Sequence, residues 1–359
     1  MRFKFFLKYL QIVLYKKQSV KNKNLLKGFI LFNILFLFAS CKNNDNNHQK
    51  NMPKTGNPEI DVLTEAIFKK PNDAQLYFRR AQLFYKNGVQ GGYDFAIEDM
   101  RYALSLDSTN LGFHHFLADV YLEYAQSRLA LETLQRATTL YPDSLNTLLK
   151  LGQVQFITKQ YSQTLATVDQ ILQRDPQHSD AFFLLGMNLR EMGQTDRAIV
   201  AFQKAADFNA KNLGAFLELA NLYEAKKDPK ALRYIETALL IDSLHAPALI
   251  SKGVYWQKRG KFSMAKAAYQ TLIRHNPRAT DAYFNLGLLY LDADSVRLAR
   301  EHFNFVINEK PTYTKAYYYL GQCEEKIGDK KAAISYYRQA TALNPSYEAA
   351  NKALEKLGE

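Results

Sequence analysis

Apolar residues along most of this chain recur with the period of a helix. The stretch DAYFNLGLLYLDADSVRLAREHFNFVINEKP, beginning at Asp281, shows the pattern. Tyr283, Leu286, Gly287 and Tyr290 fall at i, i+3, i+4 and i+7, the spacing that gathers side chains on one face of an α-helix. Ala299, Phe303 and Val306 make a second stripe. The small residues Gly287 and Ala299 let two helices approach closely, while Tyr283, Tyr290 and Phe303 fill the space beside them. Pro311 lacks an N–H and cannot continue the second helix, so the chain turns there.

This two-helix unit repeats. The ends of successive units read ALSLDST from Ala103, ATTLYPD from Ala137, ILQRDPQ from Ile171 and AADFNAK from Ala205. ALLIDSL from Ala238, LIRHNPR from Leu272, VINEKPT from Val306 and ATALNPS from Ala340 follow, so the step is 33 or 34 residues throughout. Such a period marks a repeat array in which each unit buries its apolar face against its neighbours. The small position of the first helix is Ala81, Ala118, Gly152, Gly186, Ala220, Gly253, Gly287 or Gly321. That of the second is alanine in every unit but the third, where Thr164 predicts looser packing. These positions, with the closing prolines Pro142, Pro176, Pro277, Pro311 and Pro345, resemble the tetratricopeptide repeat. The resemblance implies an all-α solenoid, a right-handed superhelix of antiparallel helix pairs.

Eight repeats are expected over 74–347, with bounds 74–110, 111–144, 145–178, 179–212, 213–245, 246–279, 280–313 and 314–347. A capping helix is expected at 58–73, where Ala66 and Pro71 keep the register of a second helix alone. Another is expected at 348–359, with Ser346 placed to cap its start.

Residues 1–57 break the pattern. A basic approach leads to an apolar run of about 13 residues, Gly28 to Ser40, where a spanning helix needs about 20. Phe38-Ala39-Ser40-Cys41 resembles the lipobox of bacterial lipoprotein signal peptides, with Phe38 departing from the usual aliphatic residue. The resemblance implies a signal peptide over 1–40, lipid attachment at Cys41, and an envelope protein held on a membrane, expected to be the outer one at its periplasmic or outer face. Residues 41–57 are polar, without apolar period, and read as a flexible tether.

The formal charge of +12 changes meaning in this light. Residues 1–40 hold eight of the 47 basic residues and none of the 35 acidic ones, leaving the rest only mildly basic. That removes the main support for nucleic acid as a partner. The two cysteines, Cys41 and Cys323, exclude a disulfide framework. No metalloprotease, Walker or nucleophile-elbow motif is present. GVQGG (88–92) reads as a lengthened turn. His114 and His115 point about 100° apart on a helix and would not chelate one metal. Neither a catalytic residue nor a metal or other cofactor is expected.

In tetratricopeptide proteins the first helices line a concave ligand-binding surface. Carried onto this chain, that resemblance assigns the partner-binding groove to Phe183, Met187, Leu217, Asn221, Ile250, Val254, Phe284, Leu288 and Leu291. The lysine, asparagine and arginine set that holds a peptide carboxylate in some members is largely missing. The strip favours an amphipathic helix or an extended peptide with aliphatic side chains. The expected function is a membrane-anchored scaffold for other envelope proteins. The alternative is a carrier or chaperone for a small ligand or exported peptide.

Overall fold

The computed structural model describes residues 55–87 and 91–358, and among these the chain forms eighteen α-helices and no strand. They fall into two compact units, 55–176 and 177–358.

The first unit opens with α1 (Pro58–Lys69). Three helix pairs follow: α2 (Ala74–Asn87) with α3 (Gly92–Leu106), α4 (Leu111–Glu123) with α5 (Ser127–Leu140), and α6 (Leu145–Ile157) with α7 (Tyr161–Arg174). Each helix packs on the next in sequence. The Asn57 side chain caps α1 by accepting from the backbone N–H of Glu59 and Ile60, so the end of the expected tether is structured. Asn110 and Ser144 cap α4 and α6 in the same way. A charged pair lies inside this unit. Arg80 of α2 donates to Asp99 of α3 at 2.6 and 2.9 Å, and its third contact is the Thr64 hydroxyl of α1 at 3.0 Å. Burial pushes the Asp99 carboxyl up, opposed by the Arg80 guanidinium. The capping helix is thus joined to the first pair through a satisfied polar network.

The second unit holds five pairs and a terminal helix. The pairs are α8 (Ser179–Glu191) with α9 (Thr195–Phe208), α10 (Leu213–Ala225) with α11 (Lys230–Ile241), α12 (Ala246–Gln257) with α13 (Phe262–His275), α14 (Thr280–Asp292) with α15 (Val296–Glu309), and α16 (Thr314–Ile327) with α17 (Lys330–Leu343); α18 (Glu348–Lys356) closes it. Four glycines make the close approach within pairs possible. A Cβ on Gly186 would lie 2.6 Å from the ring of Phe202, and one on Gly287 2.5 Å from Phe303. Tyr269 and Tyr337 lie over Gly253 and Gly321 in the same way. Each ring belongs to the second helix of its own pair, four residues beyond that helix's small position.

Seven of the turns inside pairs follow the first helix with a residue in the left-handed region, Ala125, Lys159, Gly193, Lys227, Gly260, Asp294 and Gly328, and Gly91 takes the same conformation at the N-cap of α3. This conformation closes the preceding helix, as when the Gln126 N–H reaches back to the Tyr121 carbonyl at 2.7 Å. Four of these residues are not glycine and bear the steric cost of a Cβ there.

Thr164 is fully buried, and its hydroxyl donates to the Gln160 carbonyl at 3.0 Å. One local expectation needs correction. Ser346 does not cap α18: its hydroxyl donates to Asn344 at 2.9 Å, and the N-cap position is Tyr347. Residues 1–54, including Cys41 and the apolar run, and 88–90 of GVQGG lie outside the described residues.

Candidate functional site: the first-helix face of the second unit

Within 177–358 the first helices of neighbouring pairs touch directly, α10 with α12 and α12 with α14; no second helix meets another as extensively. Successive pairs meet chiefly through the second helix of one on the first helix of the next, and the first helices add a smaller direct contact. Of the residues assigned to the groove, those that remain accessible are aliphatic with one amide. Leu217 of α10, Ile250 and Val254 of α12, and Leu288 and Leu291 of α14 are half-buried, and Asn221 of α10 is exposed.

Three residues expected in the groove are not at the surface. Phe183, Met187 and Phe284 are 0, 2 and 7 % exposed. The Phe183 ring lies 5.5 Å from Phe202, and a Cβ on Gly214 of α10 would come within 3.0 Å of it. Phe183 therefore fills the junction of α8, α9 and the next first helix. Phe284 does the same among Phe303, Tyr313 and Tyr319, with ring centroids 5.6, 5.0 and 5.6 Å away. The leading aromatic of the stripe is consumed by packing between pairs, and the accessible strip begins one turn later in the helix or in the pairs that carry an aliphatic residue there.

The far ends of the first helices are tied by polar contacts from pair to pair. Arg190 of α8 pairs with Glu218 of α10. Glu224 of α10 meets Arg259 at 3.0 Å and Lys258 at 3.6 Å, just beyond α12. Gln257 donates to Asp292 of α14 at 2.7 Å. Lys326 of α16 reaches Asp294 at 2.7 Å, and Lys356 of α18 reaches Glu325 at 3.3 Å. The Arg259 guanidinium also lies 3.4 Å over the Tyr255 ring centroid, a cation–π contact. These contacts fix the register between pairs and use up charges that would otherwise face a ligand.

The remaining candidates for chemistry are structural. Cys323 is fully buried, and burial pushes its thiol up to about 12, far from thiolate at neutral pH. His114 and His115 turn to different partners, the Ser108 carbonyl and the Thr147 hydroxyl, each at 2.9 Å. Among the described residues no group of three or more His, Cys, Asp or Glu could hold a metal. No described helix is long and apolar enough to cross a membrane.

Profiles of the tetratricopeptide repeat match residues 180–208, 257–313 and 314–347. A crystal structure of a tetratricopeptide repeat protein from Parabacteroides merdae superposes with a TM-score of 0.55 at 16 % identity, covering 69 % of this chain and 99 % of that one. The fold is an all-α tetratricopeptide solenoid, and these likenesses support a tetratricopeptide-repeat protein. Two curated relatives are similar in sequence. Human protein O-mannosyl-transferase TMTC3 is 26 % identical over 65 % of this chain and 26 % of its own length. Type IV pilus assembly protein PilF of Pseudomonas aeruginosa is 30 % identical over 34 % of this chain and 50 % of its own. The chain thus spans between about a quarter and a half of these relatives.

Proposed function

We propose that this chain is a protein-interaction scaffold of a bacterial cell envelope, held on a membrane by lipid at Cys41, with no catalytic activity of its own. Its partner segment, an amphipathic helix or extended peptide, lies on the first helices of α10, α12 and α14. The observation that carries this reading is the accessible strip of Leu217, Ile250, Val254, Leu288 and Leu291 with Asn221 beside it. Aliphatic side chains aligned on successive helices suit a partner that offers its own at a regular rise, and the amide can bond a peptide backbone. The likeness to PilF, a type IV pilus assembly protein, supports an envelope role. The lipobox-like junction ending at Cys41 supports the anchor.

The test is a double substitution, Ile250→Asp with Leu288→Asp, in protein purified from solubilised membranes. Stoichiometric partner proteins should be lost while thermal unfolding stays within a few degrees of the parent. Unchanged copurification by a folded variant removes the strip as the site. Cys41→Ser separately tests the anchor: radiolabelled fatty acid should no longer be incorporated, and unaltered labelling contradicts it.

A further inference from the structure

The turns inside the α10–α11 and α12–α13 pairs read AKKDPK (225–230) and QKRGK (257–261), a lysine density that the groove does not use. Glu224, in α10 just before the first turn, meets both Lys258 and Arg259 of the second, which sets the two turns side by side. Lys226, Lys227, Lys230, Lys258 and Lys261 are all exposed. The local acids are largely engaged. Glu224 is shared by Lys258 and Arg259, Asp196 holds Lys226 at 2.5 Å, and Asp228 accepts the Lys230 backbone N–H at 2.8 Å. Glu236 pairs with Lys252 at 3.4 Å, and Asp292 accepts from Gln257. Lys227, Lys230 and Lys261 have no carboxylate within ion-pair distance among the described residues. Met264, in the first turn of α13 and three residues beyond Lys261, is 51 % exposed.

We propose that this edge of the second unit docks on an anionic lipid surface. The edge is made of exposed turns, so it suits a broad surface better than a threaded peptide. Its exposed charge is mainly ammonium, a mobile point charge that follows a diffuse negative potential, whereas bidentate recognition of a carboxylate favours arginine. The exposed Met264 gives the same edge a side chain that can enter the headgroup region. The contact needs neither Cys41 nor the first-helix strip. It would orient a tethered molecule so that the strip stands beside the membrane.

The test is amine acetylation of the full chain on phosphatidylcholine vesicles with and without phosphatidylglycerol, read residue by residue by mass spectrometry. Lysine footprinting isolates this edge from the basic N-terminal segment. Phosphatidylglycerol should lower the reactivity of Lys227, Lys230, Lys258 and Lys261 by about fivefold each, reversed by high salt. Lys204, Lys211 and Lys315, exposed elsewhere on the unit, should change little. Replacing the four lysines by glutamine should lower binding to phosphatidylglycerol vesicles by about tenfold or more. The proposal is overturned if the four lysines react equally on both vesicles, or if the three reference lysines are protected as strongly. It is also overturned if protection requires an added acidic protein.

Discussion

The two units solve one packing problem with opposite choices of side chain. In 55–176 the small positions of the first helices are Ala81, Ala118 and Gly152, and the matching second-helix positions are Met100, Leu134 and Val168, all buried. In 177–358 four of the five pairs place glycine under an aromatic ring, and only Ala220 with Ile235 keeps the aliphatic form. A methyl removed from one helix makes room for a ring on the other, so close helix spacing is kept with the volume moved across the interface. Gly152 with Val168 is the odd pair, since it has the small residue without the ring. The units differ also in polar contents. The first buries Arg80 with Asp99 and joins Gln155 to Thr167 at 2.8 Å inside its core. The second ties the ends of its first helices with partly exposed ion pairs, Glu224–Arg259 and Asp294–Lys326 among them. A ring over glycine is a rigid stop, and a buried ion pair is a rigid pin; each fixes one register.

The largest expected effect breaks the pin. Arg80→Met leaves Asp99 buried without its partner and should destabilise the first unit by about 3–5 kcal/mol. Hydrogen exchange in α2 and α3 should accelerate while α12 to α17 keep their protection. Arg80→Met with Asp99→Leu should recover most of the loss, because two apolar groups need no partner.

Next comes the ring. Gly253→Ala drives a Cβ into Tyr269 and should cost about 1–3 kcal/mol in chemical denaturation. Adding Tyr269→Leu should restore stability, recreating the pairing used by Ala118 and Leu134. Gly152→Ala, facing Val168 rather than a ring, should do the reverse and gain up to about 1 kcal/mol, since alanine favours helix. Equal losses at Gly152 and Gly253 would erase the distinction between the units.

A smaller change should treat the units alike. Ala125→Gly in the first and Lys227→Gly in the second each relieve a left-handed residue and should raise stability by about 1 kcal/mol. The smallest effect is a pH dependence confined to the second unit. Burial holds His302 below its ordinary value of 6.5, with Lys266 adding to the shift and Glu301 opposing it. Its ring stacks on Tyr290 at 5.3 Å. The unfolded chain takes up the proton first, so this contribution is full above about 6.5 and fades as pH falls through the folded value. His302→Gln should flatten the stability profile over that window.

Much of the fold was legible because it rests on what a sequence displays directly: a period, small residues and prolines at set places. The helix pairing follows from Gly287, Ala299 and Phe303 in the sequence alone. The site was less legible. Phe183 and Phe284 have the right stripe for a groove, yet that stripe is also where one first helix meets the next pair. Hydrophobicity does not distinguish a ring between helices from a ring facing a ligand. Arg190, Glu224 and Gln257 lie near the C-terminal ends of first helices. Their companions Glu218, Arg259 and Asp292 are about a repeat away, and only the structure brings them together. Ser346 failed as a cap for a local reason, since a short hydroxyl can bond backward as easily as forward. The lysines of 226–230 and 258–261 had to be placed beside their acids before those without a carboxylate partner stood out.

The central claim is that the first-helix strip of the second unit holds a partner protein. Site-specific photocrosslinking in living cells tests it most directly, with the reactive group placed at Val254 or Leu288 and, for reference, at Lys204 on a second helix. The account predicts one defined protein crosslinked from both strip positions and not from Lys204. Crosslinks from Lys204 alone, or none from either strip position at normal expression, would contradict it.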